Sequence, residues 1–369
     1  MEKASVNIFE LVGTNYEIGY HLGKIAIKHP QFAQMQKCAS GTFTEKRAKE
    51  MTEMFERYCP GLNEELQGFA EAIGATRLQT VYYAMTYLTP GCSLLAVLPK
   101  LTANGHVMVA RNYEFSHKMD DFCFCKTKVT GKYAHMGGNV MQFGRSEGIN
   151  EHGLMVGQTS CGMPVGNMEF LRKPAITGLQ FWAVIRSLLE NCKDVSEALQ
   201  ALKDMPIAYN INLILADKFG RAALFETLDG KKAVQEIDGT TTKQYLHSTN
   251  HAHLPEIMEI EPLAMEHSAC RYNFIKNYMD QAKQLTNEDL KELLLAKYPT
   301  GLCCHWYEEF FGTIKSMVFD VTLGKVDICW GGRAANGWKT YALDADIQAE
   351  NFMIDIEVEH PTFDFTRLV

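Results

Sequence analysis

The sequence predicts an α+β protein: an antiparallel sheet core with helices on its outer faces. Three observations lead there. Short apolar runs come in pairs separated by tight turn signals, the mark of hairpins. Helical periodicity comes in blocks between those pairs rather than alternating with single strands. The 369 residues, 46% apolar and 22% charged, have an ordinary globular composition, and a chain of this length needs no disulfide or metal staple to fold. At about 150 residues per domain the chain makes two or so units, or one large one.

Taken in order, the first 91 residues read as mainly helical. Ala48, Met51, Phe55 and Tyr58 keep helical spacing between Thr44 and Tyr58, and Pro60-Gly61 ends that helix. Leu62, Leu66, Phe69, Ala70 and Ile73 mark another, with Gly74 as its C-terminal cap. Thr76 is placed to cap a third helix through Leu88. The uncharged stretch from Leu78 to Pro99 is long enough to raise the question of a membrane span. Pro90-Gly91 in its middle and four interrupting hydroxyl residues make it a buried helix, a turn and a buried strand instead.

The pattern changes at Cys92. Ser93-Leu94-Leu95-Ala96-Val97-Leu98-Pro99 is a bounded apolar run, Ala103-Asn104-Gly105 is a hairpin signal, and residues 107–115 form the return strand. A strand run follows a turn within 150–159, and strand pairs follow at 210–217 with 221–227 and at 315–321 with 325–330. Helical segments run from Leu179 to Cys192, Val195 to Lys203, Ala269 to Lys283 and Glu288 to Lys297. No repeat, low-complexity tract or linker interrupts them. The units are therefore a helical segment of 1–91 and a core of 92–369.

Charge and cysteine content narrow the function. With 36 basic and 44 acidic residues the net charge is −8, which argues against nucleic acid or an anionic membrane as the principal partner. The N-terminus carries no signal-peptide core, so the eleven cysteines are expected to be reduced thiols in a cytoplasm. Cys303-Cys304-His305, Cys123-x-Cys125 and His251-x-His253 have ligand chemistry but no paired zinc spacing. Gly137-Gly138 and Gly331-Gly332-Arg333 lack a following Walker lysine. No metal or organic cofactor is expected.

Gly91-Cys92 stands where a helical segment gives way to a strand. A glycine leaves its carbonyl open to attack by the next residue's thiol, and hydrolysis after such an attack makes Cys92 a new N-terminus. Its α-amine, with a pKa of about 7.7–8.0, is then a base beside the thiol. That chemistry asks for a cation near the thiolate, a carboxylate for the amine and donors for an oxyanion. Arg111-Asn112-Tyr113-Glu114-Phe115 lies on the return strand, where alternation presents only part of the set to Cys92. Asn150, Thr249-Asn250-His251 and Ser268-x-x-Arg271 follow. Singly each has a plain structural reading: a buried cysteine, a surface arginine, or, at Asn150-Glu151-His152-Gly153, a good turn.

Together the motifs, in this order, resemble the Cys-type N-terminal-nucleophile hydrolases, in the branch of acyl-coenzyme A:isopenicillin N acyltransferase. Choloylglycine hydrolases and acid ceramidase are more distant relatives. The resemblance spans nearly the whole chain: residues 16–23, Gly91-Cys92-Ser93, 111–115, 148–154, 248–251, Ser268-x-x-Arg271, 316–320 and Gly331-Gly332. It implies an αββα sandwich of two antiparallel sheets between helical layers. It implies autocatalytic cleavage at Gly91-Cys92, leaving 1–91 bound to 92–369 as a heterodimer, with further oligomerisation open. The implied reaction is hydrolysis of a linear amide C–N bond in a small N-acyl molecule through a thioester. An acyltransferase, or an unprocessed member that only binds acyl amides, is the alternative. In this likeness Cys92 is the nucleophile, Arg111 flanks its thiol, Asn250 supplies the oxyanion hole and Arg271 supports the site. Asn150 and Ser160 are assigned substrate or oxyanion support, with Gln158 an alternative to Ser160. Glu114 stands where the family has an aspartate that holds the α-amine, and its extra methylene re-aims that contact or loses it.

Overall fold

The computed structural model describes residues 1–28, 30–81, 91–163, 173, 175–208 and 210–369. Two sheets carry the fold. The first has nine strands in the order β10-β9-β8-β7-β6-β5-β4-β1-β16. Its members are β1 (Glu2–Gly13), β4 (Cys123–Val129), β5 (His135–Gly138), β6 (Glu147–Asn150), β7 (Leu154–Ser160), β8 (Ile211–Asp217), β9 (Ala222–Leu228), β10 (Lys231–Ile237) and β16 (Glu350–Ile356). The second runs β11-β2-β3-β13-β14-β15, with β12 on β13. These are β2 (Gly91–Val97), β3 (Met108–Phe115), β11 (Tyr245–Ser248), β12 (His305–Trp306), β13 (Phe311–Asp320), β14 (Lys325–Trp330) and β15 (Trp338–Ala342).

Helices α1 (Asn15–Ala26), α2 (Pro30–Met35), α3 (Glu45–Tyr58), α4 (Leu62–Ala72), α5 (Phe181–Asn191) and α6 (Val195–Asp204) precede the short α7 (Pro255–Met258), then α8 (Glu266–Gln281) and α9 (Asn287–Leu295). Strand alternation sorts the apolar side chains into three layers. Cys92, Leu94, Val109, Tyr113 and Met317 meet Val6, Ile8, Met155, Ile214 and Leu224 between the sheets. Leu95, Val97, Ala110 and Val318, on the opposite face of the second sheet, pack on Ile275, Leu290 and Leu294 of α8 and α9. The first sheet's outer face packs on α1, α3, α4, α5 and α6. The result is an αββα sandwich, and strands buried on both faces explain the continuous apolar runs in the sequence.

Residues 1–91 carry helices α1 to α4 but open on β1, a twelve-residue strand inserted between β4 and β16. The first sheet is also not wholly antiparallel, because β1 runs parallel to β4 with Asn7 opposite Cys123. The N-terminal segment is therefore part of the sandwich rather than a domain beside it. The helix expected from Thr76 to Leu88 does not start at Thr76. The Thr76 hydroxyl and backbone N–H both donate to the Gln79 side-chain Oε1, each at 3.0 Å, over a single 3-10 turn that ends before the extended Thr80. Residues 82–90 lie outside the described residues. Among the described residues no helix is long and apolar enough to cross a membrane, and no disulfide forms.

The motif at residues 16–23 has a packing role. Gly19 and Gly23 let the backbone of α1 touch α4: a Cβ on Gly19 would lie 1.8 Å from the Glu65 carbonyl oxygen, and one on Gly23 would lie 2.7 Å from that of Phe69. Next to this contact, buried Glu65 takes a two-pronged ion pair from Arg186 of α5, at 2.7 and 3.1 Å. The N-terminal segment is thus tied to the core by sheet, helix and charge. Gly19→Ala should lower the unfolding free energy by about 1–3 kcal/mol, the usual cost of overpacking. Urea denaturation measures it, and a change under about 0.5 kcal/mol would contradict the close contact.

Candidate active site

Strands β2 and β3 pair so that Cys92 faces Tyr113, Leu94 faces Arg111 and Gly91 faces Glu114. Because side chains alternate, Cys92, Arg111 and Tyr113 point between the sheets, while Gly91, Asn112 and Glu114 point to the helical side. Asn112 confirms that side by donating to the Leu294 carbonyl of α9 at 2.8 Å. No side chain fits at Gly91, where a Cβ would come within 2.2 Å of the Phe311 ring.

The Cys92 thiol is fully buried. Arg111 Nη2 donates to its Sγ at 3.3 Å, and Gln158 Nε2 lies 3.8 Å away. Arg111 is itself held by Glu147, whose Oε2 accepts from Nε at 2.9 Å, and by the Gln158 carbonyl. Glu147 also accepts from the Gly138 N–H at 3.0 Å, the Ser146 hydroxyl at 2.8 Å and Lys315 Nζ at 3.0 Å. Burial resists ionisation of Glu147, but Lys315 and Arg111 outweigh it and bring its pKa down to about 2. The thiol behaves oppositely: burial pushes it up to about 12, with Glu114 and Glu147 adding to the effect and Arg111 opposing it. In the intact chain Cys92 is a neutral thiol under a guanidinium.

Arg271, from the second turn of α8, holds the other side of the same residue. Its Nη1 donates to the Cys92 carbonyl at 2.7 Å and to the Ser93 hydroxyl at 2.8 Å, and its Nη2 to Asn250 Oδ1 at 2.9 Å. Asn250 Oδ1 accepts the Cys92 backbone N–H at 3.0 Å, and Asn250 Nδ2 donates to Ser160 Oγ at 2.8 Å. The loop carrying Asn250 is pinned below. Ser268 Oγ accepts the Asn250 N–H at 2.7 Å, and the Thr159 hydroxyl donates to the Thr249 carbonyl at 2.7 Å.

Glu114 is the exception in this network. It is fully buried and neither carboxylate oxygen has a well-formed hydrogen bond, although the Thr313 hydroxyl on the facing strand is close enough to favour the ionised form. Burial raises its pKa to about 7, against the pull of Arg271 and Arg111. A cavity of about 150 Å³ opens beside the Gly91-Cys92 bond. Ser160, Asn250 and His267 line one part of it; Met163, Met265, Phe310, Phe311 and Phe365 make the rest mostly apolar.

The structure therefore gathers Gly91, Cys92, Arg111, Asn250, Arg271, Ser160 and Gln158, and sets Glu114 opposite Gly91 on the neighbouring strand. It does not bring Asn150 to this group. That side chain ties its own turn to the end of α5: Nδ2 donates to the Leu189 and Cys192 carbonyls at 2.9 and 2.7 Å, and Oδ1 accepts from the His152 and Leu154 N–H groups. The turn reading of residues 150–153 is the one the structure supports. Sequence reasoning missed Glu147, Lys315 and His267. A lysine inside the apolar strand Phe311–Asp320 was the available signal, since a buried lysine requires a buried carboxylate. Cys303 Sγ lies 3.6 Å from His305 Nε2 and donates to the Gly332 carbonyl. Among the described residues no three His, Cys, Asp or Glu side chains are grouped to hold a metal ion.

Comparison with known proteins follows from this geometry. No curated protein sequence matches the chain. Solved structures with a similar fold include penicillin V acylase from Agrobacterium tumefaciens, 16% identical over 65% of this chain and 83% of that one, at a TM-score of 0.41. A mutant conjugated bile acid hydrolase from Clostridium perfringens is 12% identical over 73% and 99% of the two chains, at 0.42. A Caenorhabditis elegans ortholog of N-acylethanolamine-hydrolyzing acid amidase is 14% identical over 63% and 94%, at 0.43. The sequence profile of acyl-coenzyme A:6-aminopenicillanic acid acyl-transferase matches residues 101–335, well over half of the sequence. The chain belongs to the acyl-coenzyme A:6-aminopenicillanic acid acyl-transferase family.

Proposed function

We propose that this protein is an autoprocessed cysteine amidohydrolase that cleaves the amide of an N-acyl small molecule through a thioester. Family membership supports amide hydrolysis or acyl transfer as the reaction class. The observation that carries the finer reading is the Gly91-Cys92 bond itself. It borders the cavity, its thiol lies under Arg111, and its N–H and the next carbonyl are held by Asn250 and Arg271.

In the first stage Cys92 Sγ attacks the Gly91 carbonyl carbon. The C–N bond to Cys92 breaks, the nitrogen takes a proton, and Gly91 is left as a thioester on Sγ. Water hydrolyses that thioester, giving a Gly91 carboxylate and a Cys92 with free thiol and α-amine. Arg111 favours the thiolate that burial otherwise resists. The new amine arises on the strand position next to the one facing Glu114. Protonated, it adds a counter-charge to those of Arg271 and Arg111 near the Glu114 carboxylate.

In turnover the α-amine takes the thiol proton and the thiolate attacks the substrate carbonyl. Asn250 Nδ2 leaves Ser160 Oγ for the developing oxyanion. The amine returns its proton to the leaving nitrogen, the C–N bond breaks, and water then releases the carboxylic acid. The acyl group, which stays on the enzyme between the two steps, occupies the apolar cavity. An amine acceptor in place of water would make the same site an acyltransferase. After cleavage segment 1–91 remains as a partner chain, because β1 keeps its ladders to β4 and β16 and Glu65 keeps Arg186.

Three outcomes test this. Cys92→Ala should abolish hydrolysis of N-acyl amides as well as chain cleavage; a Cys92→Ala protein that still turned over amides would overturn the proposal. Asn250→Asp keeps the acceptor for Cys92 and Arg271 but loses the donor, so kcat should fall about 10²–10³-fold. An unchanged kcat would remove Asn250 from the oxyanion role. Glu114 concerns pH. In the uncleaved Cys92→Ala chain its folded pKa of about 7 exceeds the ordinary 4.5. Its contribution is therefore full below about pH 4.5 and is lost as pH rises through 7. Glu114→Gln should flatten the decline in unfolding free energy between pH 4.5 and 8 by up to about 3 kcal/mol. Buried Glu226 and Asp121, also raised, cancel in the comparison. Identical slopes would mean that burial does not raise the Glu114 pKa above the ordinary carboxylate range.

A further inference from the structure

His267 is the second residue of α8 and is 1% exposed. Its ring stacks on Phe365, with centroids 4.6 Å apart, and meets Phe311 edge-on at 4.5 Å. Its Nδ1 lies 3.4 Å from Arg271 Nη2. A guanidinium only donates, so Nδ1 is the acceptor and the ring proton sits on Nε2. Burial, with Arg271 and His251 adding to it, holds the ring's pKa down to about 2, so the imidazole is neutral across the physiological range. Nε2 has no hydrogen-bond partner. Buried polar atoms are nearly always paired, and an orphan in a cavity wall marks a place where a ligand completes the pairing. His267 lines the cavity beside Gly91, Ser160 and Asn250, and the neighbouring Met265, Phe311 and Phe365 side chains offer no oxygen or nitrogen acceptor.

We infer that His267 is a specificity-determining residue whose Nε2–H binds an oxygen acceptor set within the otherwise apolar acyl group of the substrate. This rests on the amidohydrolase reading, which places the acyl group in that cavity. The substrate class is thereby narrowed from N-acyl amides in general to those whose apolar acyl chain carries one ether, hydroxyl or carbonyl oxygen beyond the scissile carbonyl. The selection works mainly by exclusion. A plain hydrocarbon chain would cover the N–H and leave it unpaired, and a site built around a hydrogen bond discriminates strongly against an analogue that lacks it. Of the other polar side chains in the wall, Ser160 and Asn250 are committed to each other and to the scissile end, and Glu309 is an exposed carboxylate that offers no hydrogen to an acyl-chain oxygen.

The test uses a matched series: one N-alkanoyl amide, and analogues in which a single methylene is replaced by an ether oxygen at each successive position. The processed wild-type enzyme should favour one ether position over the plain chain by about tenfold in kcat/KM. His267→Phe should bring that ratio to about one. His267→Gln, whose side-chain amide sets a donor near the place of Nε2, should keep part of it. A wild-type ratio within twofold at every position, or a preference that survives in His267→Phe, overturns the inference. The corresponding free carboxylic acids, titrated calorimetrically into Cys92→Ala protein, read the same ratio in Kd without any turnover. A ratio there in the absence of amide hydrolysis sinks the catalytic reading and leaves the inference standing. Turnover without a ratio does the reverse, and acids that do not bind at all overturn the inference.

Discussion

A guanidinium that cannot give up its proton is buried 3.3 Å from the Cys92 sulfur, and the centre of the sandwich is arranged around that fact. An unpaired buried charge is too costly to persist. Arg111 therefore brings Glu147, and Glu147, too negative for one partner with several lone pairs to fill, brings Lys315, Ser146 and the Gly138 N–H. The residues come from β3, β5, β6 and β13, so the network bolts the two sheets together at the position of the thiol. It also leaves two cations against one carboxylate there, a field that favours a thiolate once something removes the proton.

The helical side is built to a different rule. Arg271 spans Cys92, Ser93 and Asn250, and fixes the peptide group at the mouth of the cavity. Glu114, on that face, has no well-formed hydrogen bond, and its pKa stands at about 7 because burial outweighs Arg271, Arg111 and the facing Thr313 hydroxyl. The proposed cleavage at Gly91-Cys92 would set a cationic amine beside it.

Much of this was legible before any coordinates. Hairpins announced themselves through turn chemistry: Asp217-Lys218-Phe219-Gly220 joins β8 to β9, and Asn104-Gly105 lies between β2 and β3. Alternation in the return strand implied that only part of the set at 111–115 reaches Cys92, without saying which part, and the structure puts Arg111 beside the thiol and Glu114 on the opposite face. Strand β1 was missed although Lys3, Ser5 and Asn7 alternate with Ala4, Val6 and Ile8, because the alternation is short and Glu10 breaks the apolar face after Ile8. Val6 and Ile8 reach the core between the sheets, but a strand beside a parallel neighbour has no hairpin turn to announce it. Asn150 misled because an asparagine that satisfies a turn has the same letter as one that binds substrate. Glu147, Lys315 and His267 depend on contacts between segments well over a hundred residues apart in the chain, or on an aromatic box that no local pattern encodes.

The account turns on one covalent event, and an intact mass spectrum of freshly purified wild-type protein under denaturing conditions reads it directly. Two species with the masses of 1–91 and 92–369 are predicted, with the second beginning at Cys92. A single species with the mass of 1–369, persisting through long incubation at neutral pH, would contradict it. Cys92 would then keep its amide nitrogen, no α-amine would form beside Glu114, and the base that the mechanism requires would not exist.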